Sequence, residues 1–272
     1  MTKGFSLRRR APAMLLTCAL LAGSAYAAEA PARHAFGVDD LARIRTVGSP
    51  ALAPGGDWVA YTVRATDVAA DKAASHVWMT SWDGSRHVQL TSRDKESESL
   101  PRFSPDGTRI AFVSSRSGSG EKPEESRLWL LDRAGGEARP VLGVKGSVDD
   151  YVWSPDGKQL ALILMDPDPD ASDAKDDDKK PKPIVVDRFQ IKTDGEGYLG
   201  NRRHRLWLYD FASGTARRLT SGDFDEALPA WAPDGSAIVF VSDRSTDPDR
   251  GYDSNLYRVS PTGGAEPQRL TS

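Results

Sequence analysis

Cysteine occurs once in these 272 residues, at Cys18, so no disulfide within the chain can hold a fold together. Long apolar runs are as scarce: the one continuous stretch lies near the N-terminus, which excludes a polytopic helical membrane protein. Basic charge is not in excess, with 36 Lys and Arg against 39 Asp and Glu, and no basic stripe favours nucleic acid as a partner. Chemistry-bearing motifs are missing too. No serine has the Gly-x-Ser-x-Gly flanks of a nucleophile elbow. His34, His76, His87 and His204 are scattered outside any metal spacing, and there is no phosphate loop or dinucleotide fingerprint. Neither a metal nor a cofactor is expected. What the chain does have is 24 Gly and 18 Pro, the raw material of many turns.

The first residues carry an address. Lys3, Arg8, Arg9 and Arg10 precede an apolar stretch from Ala13 to Gly23, and Ala25-Tyr26-Ala27 follows with small residues where a signal peptidase needs them. This order predicts a signal peptide over residues 1–27, cleaved after Ala27, and an exported protein, periplasmic or secreted. Cleavage removes four basic residues and the lone cysteine, leaving 32 basic against 39 acidic residues, a net charge of −7. No integral membrane segment is expected after cleavage, nor a polybasic membrane contact.

The rest is built on a repeat. Leu52-Ala-Pro-Gly-Gly-Asp-Trp-Val-Ala-Tyr61, Phe103-Ser-Pro-Asp-Gly-Thr-Arg-Ile-Ala-Phe112, Trp153-Ser-Pro-Asp-Gly-Lys-Gln-Leu-Ala-Leu162 and Trp231-Ala-Pro-Asp-Gly-Ser-Ala-Ile-Val-Phe240 align without gaps. Their prolines, at 54, 105, 155 and 233, are spaced by 51, 50 and 78 residues. Each unit has a second half, around Trp78, Trp129, Trp207 and Tyr257, and three units close on Leu-Thr-Ser. Within one unit, Pro105 sets φ for a tight turn, Asp106 bonds back to the backbone and Gly107 supplies the positive φ that closes it. Residues 108–114, 128–131 and 137–142 then read as strands, with Ala134-Gly135-Gly136 as a hairpin turn.

About four short strands per fifty-residue repeat predict an all-β fold: β-propeller blades of four antiparallel strands, of the TolB/WD-like repeat type, over residues 49–272. A generic antiparallel sandwich would not produce four matching units at near-constant spacing. Trp78, Trp129 and Trp207, at one fixed position per repeat, and Trp153 and Trp231, just before the turn, are expected in blade cores. Ahead of the blades, residues 28–48 form an N-terminal extension. In it, Val38, Leu41, Ile44 and Val47 fall on one helical face, predicting a short helix packed beside the propeller entrance.

The long interval contains an insertion. Residues 166–183 hold seven Asp, four Lys and four Pro without a large apolar side chain, which predicts a mobile acidic loop. Asp166, Asp168 and Asp170 invite a calcium-loop reading, but Ala171 stands where glycine is required and two prolines interrupt the turn. Ile184–Ile191 then reads as strand-like. The glycine-rich turn that follows brings Glu196, Tyr198, Arg202 and Arg203 forward as candidates to face a central channel and gate substrate; surface charges around a hairpin are the plainer alternative.

These residues resemble a known family. Val38-Asp-Asp-Leu-Ala-Arg-Ile-Arg45 running into Ser49–Gly56 is similar to the opening of prolyl oligopeptidase family serine peptidases, especially acylaminoacyl and exported dipeptidyl peptidases. Asp187-Arg-Phe189, Asp194-Gly-Glu-Gly-Tyr-Leu199 and Arg202-Arg-His204 strengthen the resemblance, which covers residues 36–272. It implies a propeller, usually of seven or eight blades, that screens short peptide substrates for a C-terminal α/β-hydrolase domain carrying a Ser-Asp-His triad. That domain is absent from these residues, so no catalytic residue carries over and this stretch alone is expected to be inactive. About four blades would leave such a ring incomplete, with open edges available for self-association. The other reading is a free-standing TolB-like periplasmic binding propeller, although blades here begin almost directly after the signal.

Overall fold

The computed structural model describes residues 35–93, 96–115, 126–166, 185–186, 188–193, 197–200, 202–251 and 253–271. The signal peptide with Ala27, most of the acidic insertion and Glu196 lie outside the described residues.

Four antiparallel sheets of four strands follow one another along the chain. Blade one comprises β1 (Thr46–Leu52), β2 (Trp58–Asp67), β3 (Lys72–Ser81) and β4 (His87–Gln89). Blade two comprises β5 (Glu98–Phe103), β6 (Arg109–Ser114), β7 (Arg127–Asp132) and β8 (Arg139–Pro140). Blade three is β9 (Val148–Trp153), β10 (Gln159–Met165), β13 (His204–Asp210) and β14 (Thr215–Arg218). A separate hairpin, β11 (Lys192–Thr193) with β12 (Gly197–Tyr198), falls between β10 and β13 along the chain. Blade four is β15 (Glu226–Trp231), β16 (Ile238–Ser242), β17 (Asn255–Val259) and β18 (Gln268–Arg269). Each blade is an up-and-down meander, the propeller architecture the repeat predicts.

The repeated turn does what its residues dictate. Ser104 Oγ and Thr108 N both donate to Asp106 Oδ1, at 2.5 and 3.0 Å. These bonds, the Ser104 hydroxyl first, hold the Asp106 carboxyl down at about 2. Gly107 closes the turn at φ 69°, a region other residues enter only at a cost.

Second strands explain why the blades stack. In β6 and β10 nearly every residue is buried, because one face meets the preceding blade and the other the next. Ala53, Trp58, Ala60 and Met79 of blade one meet Phe103 and Ile110 of blade two. Leu128 and Leu130 of blade two share a cluster with Tyr151, Leu160 and Leu162 of blade three. Ile163 and Leu208 of blade three pack with Phe240 and Tyr257 of blade four. Burying one such side chain contributes about 1.5–3 kcal/mol.

Among the tryptophans, Trp129 is buried with Val77 of blade one and Trp153 in the junction of blades two and three, and Trp207 and Trp231 are partly buried against these cores. Trp78 is half-buried beside Tyr61 on the face of blade one that points away from blade two.

Two expectations are corrected. The helix is shorter than its apolar spacing suggests, spanning Val38–Leu41 only, and Val38, Leu41 and Ile44 are at least half exposed rather than packed. Val47 belongs to β1, which starts at Thr46 because backbone pairing with Arg64 and Val63 outcompetes another helical turn. The described part of 184–191 is likewise not a strand. Val185, Val186 and Phe189 are exposed, and the backbone bends at Arg188 and Phe189.

Candidate functional site

Strands β10 and β13 are joined by the insertion at the end of the blades opposite the Pro-Asp-Gly turns. There a cavity of about 320 Å³ is lined by Met165, Arg188, Leu199, Arg202, His204 and Asp225, with Gln190 beside them. Its walls come from blade three, from the start of blade four and from the insertion itself.

Beneath it lies a dense charge network. Arg203 is 4% exposed and donates to three carboxylates: Asp223 at 2.8 Å, Asp225 at 2.9 Å and Asp249 at 3.2 Å. Burial opposes its charge, but these three partners outweigh that penalty and raise its pKa above the ordinary arginine value. Arg188, from the insertion, grips both oxygens of Asp249 at 2.9 and 2.5 Å and donates to the Gly200 carbonyl at 3.3 Å.

His204 stands between two acids, with Nε2 3.3 Å from Asp149 and Nδ1 3.1 Å from Asp225. Asp149 first and Asp225 second push its pKa up to about 10, so the ring is a cation at neutral pH. Asp225 is partly desolvated, which raises its pKa, yet the bonds from His204 and Arg203 hold it well below the usual carboxylate range. Behind them, Arg205 pairs with Asp166 at 3.1 Å.

Arg202 is different. It lines the cavity and makes no ion pair with another described residue. With Met165 and Leu199 as apolar walls, the cavity offers a charged anchor for a carboxylate or carbonyl and a surface for a small side chain.

The four residues singled out from sequence thus part company. Arg202 faces the cavity, whereas Arg203, its neighbour, is turned inward and spends its donors on Asp223, Asp225 and Asp249. Tyr198 is 53% exposed on the β11–β12 hairpin, with Lys192 Nζ 5.9 Å above its ring. Glu196 lies outside the described residues. Arg188, His204, Asp225 and Asp249 were not singled out, because their roles depend on partners 21 to 61 residues away. Among the described residues, no cluster of acidic, His or Cys side chains could hold a metal ion, and no helix is long and apolar enough to cross a membrane.

No family model matches the chain. It is 29% identical over 221 residues to an uncharacterized peptidase, YuxL, of Bacillus subtilis, covering 80% of this chain and 33% of that protein. It is 26% identical over 283 residues to dipeptidyl-peptidase 5 of Porphyromonas endodontalis, covering 80% of this chain and 39% of that protein. The chain therefore spans little more than a third of the curated relatives it matches.

Among solved structures, acylaminoacyl peptidase of Pyrococcus horikoshii superposes with a TM-score of 0.60 at 18% identity, over 85% of this chain and 33% of that one. The β-propeller domain of the trilobed protease of Pyrococcus furiosus superposes with a TM-score of 0.50 at 16% identity, over 85% and 58%. In sequence the chain is similar to part of these peptidases and in fold to a peptidase's β-propeller domain, which is consistent with a propeller portion of the prolyl oligopeptidase type.

Proposed function

We propose that this chain is the substrate-gating propeller of an exported serine peptidase that cleaves short peptides of the acylaminoacyl or dipeptidyl kind. The observation that carries the reading is the run of peptidase relatives matched over four-fifths of the chain. The cavity supports it: Arg202 lines it and would anchor a peptide carbonyl or carboxylate, while the Arg188–Arg203–Asp249 network keeps the insertion in place beside it. Export rests on the charged, apolar and small-residue order of residues 1–27. The nucleophile belongs to a hydrolase domain outside these residues.

The test is to read the coding frame past Ser272, weigh the native product and assay it on acylated and dipeptidyl chromogenic peptides. Continuation to a Gly-x-Ser-x-Gly segment and hydrolysis by the long product are expected. In that product, Arg202→Ala should raise KM for short peptides about tenfold, the scale of one lost charge-assisted bond, with kcat little changed. A stable native product of this chain's own size, without peptidase activity, would replace the reading with a TolB-like binding propeller.

A further inference from the structure

Three repeat units end on the same tripeptide: Leu90-Thr91-Ser92, Leu219-Thr220-Ser221 and Leu270-Thr271-Ser272. In the first two, the threonine reaches across to the following blade. Thr91 Oγ1 donates to Glu98 Oε2 at 2.7 Å, and Thr220 Oγ1 donates to Glu226 Oε2. Each glutamate is the first residue of its blade's inner strand, is 1% exposed, and lies opposite a serine, Ser114 or Ser242. A carboxylate so buried needs several partners. Glu98 also has His76 Nδ1 at 3.0 Å, and Glu226 has the Leu206 amide at 2.6 Å and the Arg244 guanidinium.

The junction between blades two and three has neither half. Blade two closes on Val141-Leu142-Gly143, and blade three opens on Val148, which is buried in the apolar cluster of that junction. Threonine and glutamate are therefore present together or absent together, as expected of two halves of one clasp.

The third threonine is at the outer end of blade four. Thr271 Oγ1 accepts the Leu256 amide at 3.0 Å, as Thr91 Oγ1 accepts the Val77 amide at 2.9 Å. Its own proton goes to Asn255 Oδ1 at 3.0 Å, at the repeat position of His76, a neighbour of Glu98. Leu270, just before it, is 48% exposed, whereas Leu219 is 8% exposed where a following blade covers it. On the same outward side β16 and β17 present Val241 and Leu256, the latter 40% exposed.

We infer that the outer end of blade four is a receptor for one more blade of this repeat type, keyed by a glutamate at the first position of its inner strand. Supplied within one polypeptide, that glutamate falls six or seven residues after Thr271, the spacing from Thr220 to Glu226 and from Thr91 to Glu98. Blade one does not fit the key. Its corresponding residue is Val47, so closing blade four onto blade one, or stacking copies head to tail, leaves Thr271 without a carboxylate. The inference stands on the repeat and is independent of the peptidase reading.

The test extends the full chain past Ser272 with a second copy of residues 222–271, which puts the copied Glu226 six residues after Thr271. This extension is compared with one carrying valine at the copied glutamate, each with Thr271 intact and with Thr271→Val. Hydrogen exchange of the Leu256 amide should slow by about tenfold only when Thr271 and the glutamate are both present. The two replacements should be non-additive. Equal protection by the glutamate and valine extensions would overturn the proposal. So would a dimer of the unextended chain that Thr271→Val dissolves, because a second copy would then be the occupant. Should the extended chains not fold, Thr91→Val and Glu98→Val are combined in the unextended chain. Losses that couple support the clasp, and losses that simply add overturn it.

Discussion

Arg188 Nε and Nη2 meet the two carboxylate oxygens of Asp249 at 2.9 and 2.5 Å, joining the insertion of blade three to a loop of blade four. Both side chains are only 8% exposed, so the pair is desolvated and its geometry matters. Phe189, the next residue, lies under Arg250 at 4.5 Å, a second attachment between the same segments.

Asp249→Asn should therefore cost about 3 kcal/mol, the low end for breaking a buried pair, because Asp223 and Asp225 still serve Arg203. The change should also expose residues 188–193 to proteolysis before the blades unfold. Asp247→Asn, in a pair more than half exposed with Arg250, is the control and should stay within about 0.5 kcal/mol. Denaturant titration with limited proteolysis reads both effects. Similar losses in the two variants would remove the special role of Asp249.

The same network sets a pH dependence. The folded pKa of His204 is about 10, against roughly 6.5 in an unfolded chain. A raised folded value means that the stabilisation is complete below about pH 6.5 and is lost as pH rises through about 10. Asp223, held down first by Arg203, and Asp249, held down first by Arg188, behave oppositely. Their contribution is present above roughly pH 3.9 and fades as pH falls through their lower folded values. Denaturation midpoints between pH 6 and 10 should decline, and His204→Gln should flatten most of that decline. An unchanged slope in the variant would show that other groups carry it.

Much of this fold was legible because its signals are local. Each Pro-x-Gly turn is specified by three adjacent residues, and the aromatic positions recur at fixed offsets from it. A feature just as regular went unread. Ser49, Leu100 and Leu228 all have positive φ, 48°, 50° and 52°, and each precedes a proline at a bulge in its inner strand. Asp150, at the same place in blade three, precedes Tyr151 instead and does not share that conformation. The repeated Ser-Pro and Leu-Pro pairs were visible, but a residue before proline ordinarily reads as extended. The charge network was harder still. Nothing in Asp247-Pro248-Asp249 distinguishes a buried ligand of two arginines from an exposed turn until the fold brings Arg188 and Arg203 to it.

Glycines with the same backbone sign should differ sharply in tolerance. Gly143 has φ 82°, and a Cβ there would sit 2.2 Å from the Gly214 carbonyl oxygen, a backbone atom at the contact between blades two and three. Gly143→Ala should cost more than about 3 kcal/mol or prevent folding. Gly235, with φ 72° and no atom within 4 Å of a built Cβ, should lose only about 1 kcal/mol on the same change. Thermal midpoints of the two variants decide the matter. Equal losses would mean that backbone conformation alone, not the blade contact, sets the cost.

Tyr151 offers the most direct measure of how firmly blade three holds blade two. Its side chain is fully buried, and its hydroxyl donates at 2.7 Å to the carbonyl of Leu100, the residue with φ 50° in the bulge of β5. Burial pushes the phenol pKa far above its ordinary value, so the donor persists through the alkaline range in which His204 loses its proton. Arg102 lies 5.0 Å over the ring and pairs with Asp150 at 2.8 Å, enclosing it further. Tyr151→Phe keeps the ring and removes one bond, so it should cost about 1–2 kcal/mol. Tyr151→Ala also opens a cavity in the shared core and should cost about 3–5 kcal/mol. The difference between the variants isolates ring packing from the hydroxyl. A Phe variant as stable as the parent would show that this bond only replaces one made to water in the unfolded chain, leaving apolar burial to hold the two blades together.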